Sequence, residues 1–461
     1  MRDQIQPNNQ LVTVMERYNC TRGGLARRVR LLAQQRGEEL KTDHVTVKHW
    51  CDGAVPRPAT VELIATALTE LAGERITPVM IGMDASGATG MGDALDYPAD
   101  VAESIIRLGS LARRDLSADP QLVGKPASAE ALTQPMLLWM LARPDVGSDR
   151  TGARTRVTTA DVEAVRQTVR MFLGLDFRYG GGHARAALAQ FFTHDVIPLL
   201  NGSYSADVGR ELYAAAAEAA ELLGWTAYDL GRHGLAQRYL IQSLRLAQAG
   251  NDRTLAARVM ASLSHQANYL GFFQVAAQLA RAAQEGVRTT ATPAVMAMFL
   301  AMEARAMAGA GDARAVSTAL RAAEAAYARS RLSDEPAWIA YFDDAEIAGE
   351  AAHCFRDLKL PSRTLEFVSR AIETTLPEYA RTLAFVKLVH AASLVQSDAP
   401  EEAVEVATAV INDAGPLKSV RYMRYIRDLQ DDLKLFAKIP SVRAFEALVS
   451  ERYSTSPSGP N

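Results

Sequence analysis

The strongest constraint on the fold is a regular spacing of chain breaks in the second half of the sequence. Gly231, Gly271 and Gly311 lie 40 residues apart, and each separates two amphipathic helical segments. Alanine is abundant from residue 158 to about residue 450, whereas the polar–apolar alternation of strands is missing. Repeated helical hairpins bury their apolar faces by stacking on one another. The sequence therefore predicts an all-α fold with a helical-repeat array over residues 158–450.

The residues around each break resemble those of tetratricopeptide repeats. A Leu-Gly pair ending at Gly224 precedes the first break, and Ala236 and Leu240 follow it, so that small residues allow the paired helices to approach closely. The tetratricopeptide period is about 34 residues and HEAT repeats run about 40 to 47, so the spacing leaves both classes open. The small residues favour a tetratricopeptide-like α-solenoid. Weaker units are predicted near residues 359–361 and 398–403.

A short amphipathic helix is predicted close to the N-terminus. Thr42 or Asp43 can cap it, because a short side-chain oxygen accepts hydrogen bonds from the free amides of a first helical turn. Val47 and Trp50 are three residues apart and share an apolar face, and Gly53 ends the helix. The opposite face is polar. This layout is typical of a recognition helix that lies in a DNA major groove.

Apolar stripes predict further helices at residues 11–18 and 23–33 and after residue 58. Several short helices with a Trp-x-x-Gly motif after the third resemble the Xre-type helix-turn-helix of phage-repressor-like regulators. The spacer at residues 37–41 is longer than the tight turn of that family. The resemblance implies a DNA-binding domain over residues 1–81.

Polar and basic residues of these helices are the candidates for DNA contacts. Thr46, Lys48 and His49 point away from the apolar face and would read bases, with Asp43 and His44 at the start of the helix. Arginines would hold phosphates, which position a protein on DNA without specifying sequence. The alternative is a solvated, arginine-rich helix face. The predicted DNA-binding set is Arg22, Arg27, Thr42, Asp43, His44, Thr46, Lys48, His49 and Arg57.

Residues 82–157 are predicted to be a linker with short helices. Four glycines fall within its first eleven residues, but no buried strand precedes them and no Lys-Ser/Thr follows. A flexible connection is therefore favoured over a phosphate-binding loop. A helix is expected over residues 101–111 and a short buried segment over residues 135–142. Residues 451–461 are predicted to be a disordered tail from their composition.

Counting back from the break glycines predicts the side chains on the concave surface of the array. An Asn amide can pair with a peptide backbone, an Arg can hold a carboxylate, and aromatic rings can hold an apolar group. The alternatives are that Trp225 and Tyr228 pack between hairpins and that His265 is an internally satisfied histidine. The predicted ligand-groove set is Glu221, Trp225, Tyr228, Arg258, His265, Asn268 and Arg305.

Three long strings, at residues 50–57, 175–185 and 224–239, carry a wider resemblance. The chain resembles the actinobacterial regulators that join an Xre-type helix-turn-helix to tetratricopeptide repeats, a group containing negative regulators of differentiation and antibiotic production. More loosely, it is similar to the peptide-sensing, RRNPP-like regulators of quorum sensing. The resemblance spans nearly the whole chain. It implies a cytoplasmic, homodimeric repressor that binds a double-stranded DNA operator and a signalling peptide or small molecule in the repeat groove.

Other functional classes lack support in the sequence. The three cysteines are scattered and fit neither a zinc site nor a disulfide framework, and signature motifs of enzymes are missing. No apolar run approaches the roughly 18 residues of a membrane span, and no signal peptide is recognisable. We therefore expect a cytoplasmic non-enzyme without cofactor, metal or membrane partner. The alternative function is a scaffold or adaptor that uses its repeat groove without specific DNA binding.

Overall fold

The structure is a computed structural model. It describes residues 8–35, 40–54, 56–73, 76, 78, 80–83, 94–119, 122, 127–143, 145, 147, 149–153, 155–376, 379–413 and 417–453. The chain divides into two compact units, Met1–Asp93 and Ala94–Asn461. The described residues form helices and no strand beyond two isolated bridges, so the predicted all-α class is confirmed. None of the described helices is long and apolar enough to cross a bilayer.

The first unit consists of short helices around a single apolar core. Leu25 from the second helix, Trp50 from the third and Leu68 from the fourth are all buried in this core. Residues 36–39, in the connection between the second and third helices, lie outside the described part, and the helix-turn-helix arrangement stays a prediction. The helices are α1 (Asn9–Arg17), α2 (Arg22–Gln35), α3 (His44–Cys51) and α4 (Pro58–Ala72).

Helix α3 forms where the capping and apolar patterns predict it. Asp43 adopts an extended backbone conformation and accepts a 2.8 Å hydrogen bond from the Thr46 amide, while the Thr46 hydroxyl closes a reciprocal capping box. Val47 and Trp50 face the core, and Gly53 follows with a φ of 105°. The helix is therefore held by its cap and by one apolar face, which leaves its other face outside the core.

The second unit contains a long series of antiparallel helical pairs. The helices before the repeats are α5 (Val101–Leu116), α6 (Glu130–Leu141), α7 (Thr159–Tyr179), α8 (Arg185–Phe191) and α9 (Ile197–Leu200), with a π-helical turn at Phe192–Val196 between the last two. The hairpins that follow are α10 (Ala206–Asp229) with α11 (His233–Ala249), α12 (Arg253–Tyr269) with α13 (Phe273–Gly286), α14 (Pro293–Gly309) with α15 (Ala313–Tyr327), α16 (Asp344–Asp357) with α17 (Pro361–Thr374), α18 (Ala380–Gln396) with α19 (Pro400–Asp413), and α20 (Val420–Leu433) with α21 (Pro440–Tyr453).

The breaks inside the hairpins share one backbone conformation. Gly231, Gly271 and Gly311 have φ values of 73°, 82° and 79°, in the left-handed region that suits glycine. Lys359 and Asp398 occupy the corresponding places in the next two hairpins, with φ values of 56° and 58°. The α-solenoid is confirmed, and it includes the two weaker units expected near residues 359–361 and 398–403.

Close helix approach accounts for the small residues around the first break. A Cβ atom added to Gly224 in α10 would lie 2.7 Å from Cγ of Leu240 and 3.3 Å from the backbone oxygen of Ala236, both in α11. These distances are shorter than ordinary van der Waals contact, so only glycine fits at this position without a shift.

Residues 94–157, expected to belong to a linker, are part of the second unit. Helices α5 and α6 pack against α11 and α13, and their apolar residues join the same core as the repeats. Gln242 donates from Nε2 to the Ala94 backbone oxygen at 2.7 Å, and Arg245 donates from Nε to the Pro98 oxygen at 2.8 Å. Buried side chains of α11 thereby satisfy the backbone of this irregular segment, which a composition-based linker assignment does not anticipate.

The two ends of the array meet through buried polar contacts. Arg381 of α18 pairs with Asp176 of α7 at 2.9 Å, and both side chains are almost fully buried. Asp229, at the end of α10, accepts 2.9 Å hydrogen bonds from the Ser419 hydroxyl and from the Gly181 amide. The concave face of the array is therefore bounded by helices from both its beginning and its end.

The close contact at Gly224 generates the first prediction. Gly224→Ala forces Leu240 or the helix backbone to move, and overpacking of this kind costs about 1–3 kcal/mol. Gly174, in the middle of α7, provides the matched control because a Cβ atom there meets no atom within 4 Å. Gly174→Ala is expected to be neutral or to stabilise by up to about 1 kcal/mol, since Ala is the better helix former. Urea unfolding followed by circular dichroism measures both; equal effects of the two substitutions would contradict the packing argument.

Candidate functional site

The exposed face of α3 carries basic and aromatic polar side chains. His44, Lys48 and His49 are all exposed. Lys48 Nζ lies 2.6 Å from the Asp52 carboxylate, in an exposed pair four residues apart. Such surface pairs contribute only about 0.3–0.5 kcal/mol, so a phosphate or a base edge can compete for the lysine.

The other predicted DNA-binding residues fall into two groups. Arg22, Arg27 and Arg57 are exposed, at the start of α2, along α2 and just before α4. Thr42 is only 3 % exposed, because it precedes the cap of α3 and turns into the unit. The prediction that the Thr42 side chain contacts DNA was wrong, because this side chain does not reach the surface. Asp43 is exposed and Thr46 is partly exposed, but the two side chains are hydrogen-bonded to one another in the capping box.

The second unit contains a cavity of about 170 Å³ on the concave side of its repeats. Side chains from α7, α10, α12, α14, α16, α18 and α20 line it, together with the segment between α15 and α16. No group of three or more metal-binding side chains occurs among the described residues. The rings on its wall are Phe177, Trp225, Trp338, Tyr341, Phe342 and Phe385.

Three ion pairs lie on the cavity wall. Each joins an arginine to a carboxylate on a different helix, and each carboxylate is buried. Because buried charges are costly unless they are paired, these bridges stabilise their helices only as intact pairs. The pairs are Arg258 with Glu221 at 2.9 Å, Arg305 with Glu350 at 2.6 Å and Arg381 with Asp176 at 2.9 Å.

A fourth arginine, Arg421 of α20, lies among aromatic rings. Its guanidinium carbon is 4.7 Å from the centroid of the Tyr228 ring and 5.1 Å from that of Phe385, with Trp225 at 5.6 Å. Its ionic partner, Asp229, is 3.8 Å away. Cation–π contacts between desolvated groups contribute on the order of 2 kcal/mol, so the rings supply much of the compensation for burying this charge.

Several polar groups of the cavity lack a partner. The Nε atoms of Arg305 and Arg421 are buried without a hydrogen-bond acceptor. Glu346 forms no ion pair with a described basic residue. Burial, with the neighbouring Glu350 and Asp343 carboxylates, raises the pKa of Glu346 to about 8. Two arginines that line the cavity therefore carry a donor without an acceptor, and the Glu346 carboxylic acid keeps its proton at neutral pH.

The structure brings five of the seven predicted groove residues together on this wall: Glu221, Trp225, Arg258, His265 and Arg305. Tyr228 lies behind the wall, fully buried, and its hydroxyl is 2.9 Å from Nδ1 of His265. The packing alternative therefore describes Tyr228 correctly. Burial lowers the pKa of His265 well below its ordinary value, so the ring is neutral at pH 7.

Asn268, also expected in the groove, does not line the cavity. Its Oδ1 atom lies beside Gly309, where an added Cβ atom would approach it to 2.9 Å, and this oxygen is buried without a hydrogen-bond partner. The side chain is directed between hairpins α12–α13 and α14–α15. Counting helical positions fails here because the last turn of α12 already faces the next hairpin.

Sequence reasoning missed the aromatic segment that covers one side of the cavity. Trp338, Tyr341 and Phe342 come from the connection between α15 and α16, which contains two short 3₁₀ turns. The spacing of the breaks could have indicated this segment. The break after Gly311 is at Lys359, 48 residues later instead of 40, and the additional residues carry these rings. Arg381 and Arg421 were missed because they lie beyond the glycine-marked repeats.

The protonated carboxyl of Glu346 generates a pH prediction. The pKa of Glu346 is about 8 in the folded protein and near 4.5 in an unfolded chain. Between these pH values the folded protein holds a proton that the unfolded chain releases. The stability from this proton is complete below pH 4.5 and is lost as pH rises through 8, at up to about 1.4 kcal/mol per pH unit. Glu346→Gln removes this slope and becomes increasingly more stable than the native protein from pH 5 to pH 9.

Urea unfolding at pH 5, 7 and 9 measures the difference between the two proteins. Glu405→Gln, on the exposed face of α19, is the matched control, and its difference from the native protein should stay within about 0.5 kcal/mol at every pH. The buried, neutral His265 and His353 make the free energy of unfolding rise with pH at acid pH, but this contribution is the same in all three proteins. Parallel curves for the native protein and Glu346→Gln would show that Glu346 is ionised in the fold.

Comparison with known proteins bears on the first unit. A family model described as the SP15 N-terminal domain matches residues 11–84. The matched range contains α2, α3, α4 and most of α1, and it ends before the second unit begins. No curated protein matches the sequence.

Proposed function

We propose that this chain is a sequence-specific, DNA-binding regulator of transcription whose repeat domain binds a signal molecule. The observation that carries the proposal is α3, an eight-residue helix anchored by Val47 and Trp50 with a basic face left exposed. A helix with its side chains is about 10–12 Å in diameter, which matches the roughly 12 Å width of the major groove. A helix with this polarity is suited to insertion between the phosphate strands.

The side chains around α3 supply both kinds of DNA contact. Lys48 and His49 would donate to base edges, with guanine O6 and N7 as the preferred acceptors for the lysine. Arg22 and Arg27 are exposed on α2 and Arg57 is exposed just before α4, and all three would neutralise phosphates. Asp43 and Thr46 hold the start of the helix through the capping box rather than contacting bases directly.

The repeat domain would provide the regulatory part. Its cavity joins helices from both ends of the array, so a ligand that binds one arrangement of these helices better than another shifts the equilibrium between them. Within this proposal the regulator is a cytoplasmic homodimer acting as a repressor at a palindromic operator, with half-sites about one helical turn apart or a multiple of it. The ligand is a peptide or a small molecule.

A scaffold or adaptor function is the alternative, because helical repeats also bind partner proteins through the concave face. An adaptor needs no operator preference and no strong dependence of DNA affinity on salt. Selection of duplexes from a randomised pool by the full chain therefore separates the two functions: enrichment of a defined motif supports the regulator, and a flat pool supports the adaptor.

The first prediction from this proposal concerns base reading. The double substitution Lys48→Ala with His49→Ala should weaken binding to the selected duplex by about 1–3 kcal/mol and relax its sequence preference, because the donors to base edges are removed. Fluorescence anisotropy with labelled duplex measures the affinity. Arg314→Ala, which removes an exposed arginine of the repeat domain, should leave it unchanged. Unaltered operator binding by the double variant would rule out α3 as the reading helix.

The second prediction concerns phosphate contacts. Arg57→Ala should weaken binding to all duplexes by a similar factor and reduce the slope of log affinity against log salt by about 1, because one fewer counterion is released. Titrations between about 50 and about 300 mM salt give the slope. A changed sequence preference with an unchanged slope would assign Arg57 to base contact instead.

A further inference from the structure

We infer that the cavity of the repeat domain takes a small, uncharged amphipathic molecule, with a flat apolar body and oxygen acceptors, rather than a peptide. The inference rests on the ligand-binding part of the proposed function and names the class of ligand. Its support comes from the size of the cavity, the chemistry of its wall, the balance of buried charge and the unsatisfied donors.

The volume restricts the ligand to a small molecule. A water-sized group needs about 10–15 Å³ of such volume, so 170 Å³ holds on the order of a dozen groups. A peptide of several residues has several times as many non-hydrogen atoms and would leave most of its length outside. The size therefore favours a compact molecule.

The wall offers flat apolar surfaces for the body of the ligand. The Phe177 and Tyr341 ring centroids are 5.5 Å apart, and Trp338 lies under the Arg258 guanidinium at 4.9 Å. Met298 and Met302 add flexible, polarisable side chains that adapt to the outline of a ring. A wall of this kind binds aromatic or branched aliphatic groups by burial of apolar surface.

Charge on the wall is already balanced. Each of the four cavity arginines faces a carboxylate at 3.8 Å or less. Glu346, the remaining acid, has a pKa raised by burial and keeps its proton at neutral pH. A ligand with a net charge would enter without a free counter-ion, and burial of an unpaired charge is strongly unfavourable. An uncharged ligand avoids this cost.

Unsatisfied donors define where the ligand's oxygens belong. Arg305 and Arg421 are 6 % and 7 % exposed, both line the cavity, and the Nε–H of each lacks an acceptor. A buried donor without a partner costs about 1–3 kcal/mol. A small rotation of either side chain toward the cavity would let a carbonyl or ether oxygen of the ligand accept this hydrogen bond and remove the cost. Because both guanidinium charges are already compensated, a neutral acceptor is sufficient.

Three isosteric probes test the charge and acceptor requirement on the full chain. 2-Naphthamide is uncharged, 2-naphthoate is an anion and naphthalene-2-carboxamidine is a cation, and all three share the same flat body. Trp225 and Trp338 lie on the wall, so quenching of tryptophan fluorescence follows binding, with calorimetry as an independent measurement. We expect the amide to bind at least tenfold more tightly than either charged probe. Tighter binding of the naphthoate, or no binding of the amide, would overturn the inference.

A pair of matched substitutions locates the site. Met302→Trp fills the cavity and should reduce binding of the amide at least tenfold, whereas Met171→Trp makes the same change on an exposed part of α7 and should have no effect. Circular dichroism confirms that both variants are folded. Equal amide affinity of the two variants would place binding elsewhere.

Two further measurements separate this inference from the DNA-binding proposal. The variant with Lys48→Ala and His49→Ala should bind 2-naphthamide with native affinity, whatever its effect on duplex binding. Absence of any preferred duplex for the native chain, together with intact probe binding, would reject the regulator but keep the ligand class. A randomised pentapeptide pool that binds the cavity more tightly than 2-naphthamide, and thereby displaces it, would instead show that the cavity is a peptide site.

Discussion

A buried network of carboxylates and arginines holds the repeat domain in its closed arrangement. Asp176 and Asp229 come from α7 and α10, and they are met by Arg381 and Arg421 from helices some 200 residues later in the chain. Removing one member would leave an unpaired buried charge, which typically costs about 3–5 kcal/mol. The cavity exists because these contacts bring the last hairpins against the first helices. Its aromatic wall and its ion pairs both depend on that closure.

The fold could be predicted from the sequence where a local rule was sufficient. The glycines at 231, 271 and 311 identify hairpin breaks because a left-handed backbone conformation strongly favours glycine. The same conformation at Lys359 and Asp398 has no such marker, so the later hairpins were predicted only as weaker units. Capping and apolar spacing likewise predicted α3, since both are short-range properties of Asp43, Val47 and Trp50. Local rules did not reveal that backbone oxygens within residues 94–157 accept hydrogen bonds from buried side chains of α11.

Which side chains line the cavity depends more on long-range contacts than on local rules. Five predicted residues lie on its wall because they occupy the inner faces of helices adjoining marked breaks. Asn268 and Tyr228 do not, because burial between hairpins depends on the crossing of neighbouring helices rather than on helical position. Arg381, Arg421 and the ring-bearing segment before α16 reach the cavity through contacts across the closed array. No count of positions from a single break can place them.

Closure at the end of the array has a consequence for biosynthesis. Arg381 and Asp176 are 205 positions apart, and Arg421 meets Asp229 across a similarly long separation. During translation the early hairpins can fold on the ribosome while this pocket still lacks its closing arginines. Contacts of such high sequence separation form late, after many shorter loops have closed. The nascent chain consequently has no complete cavity until the final hairpins emerge from the exit tunnel.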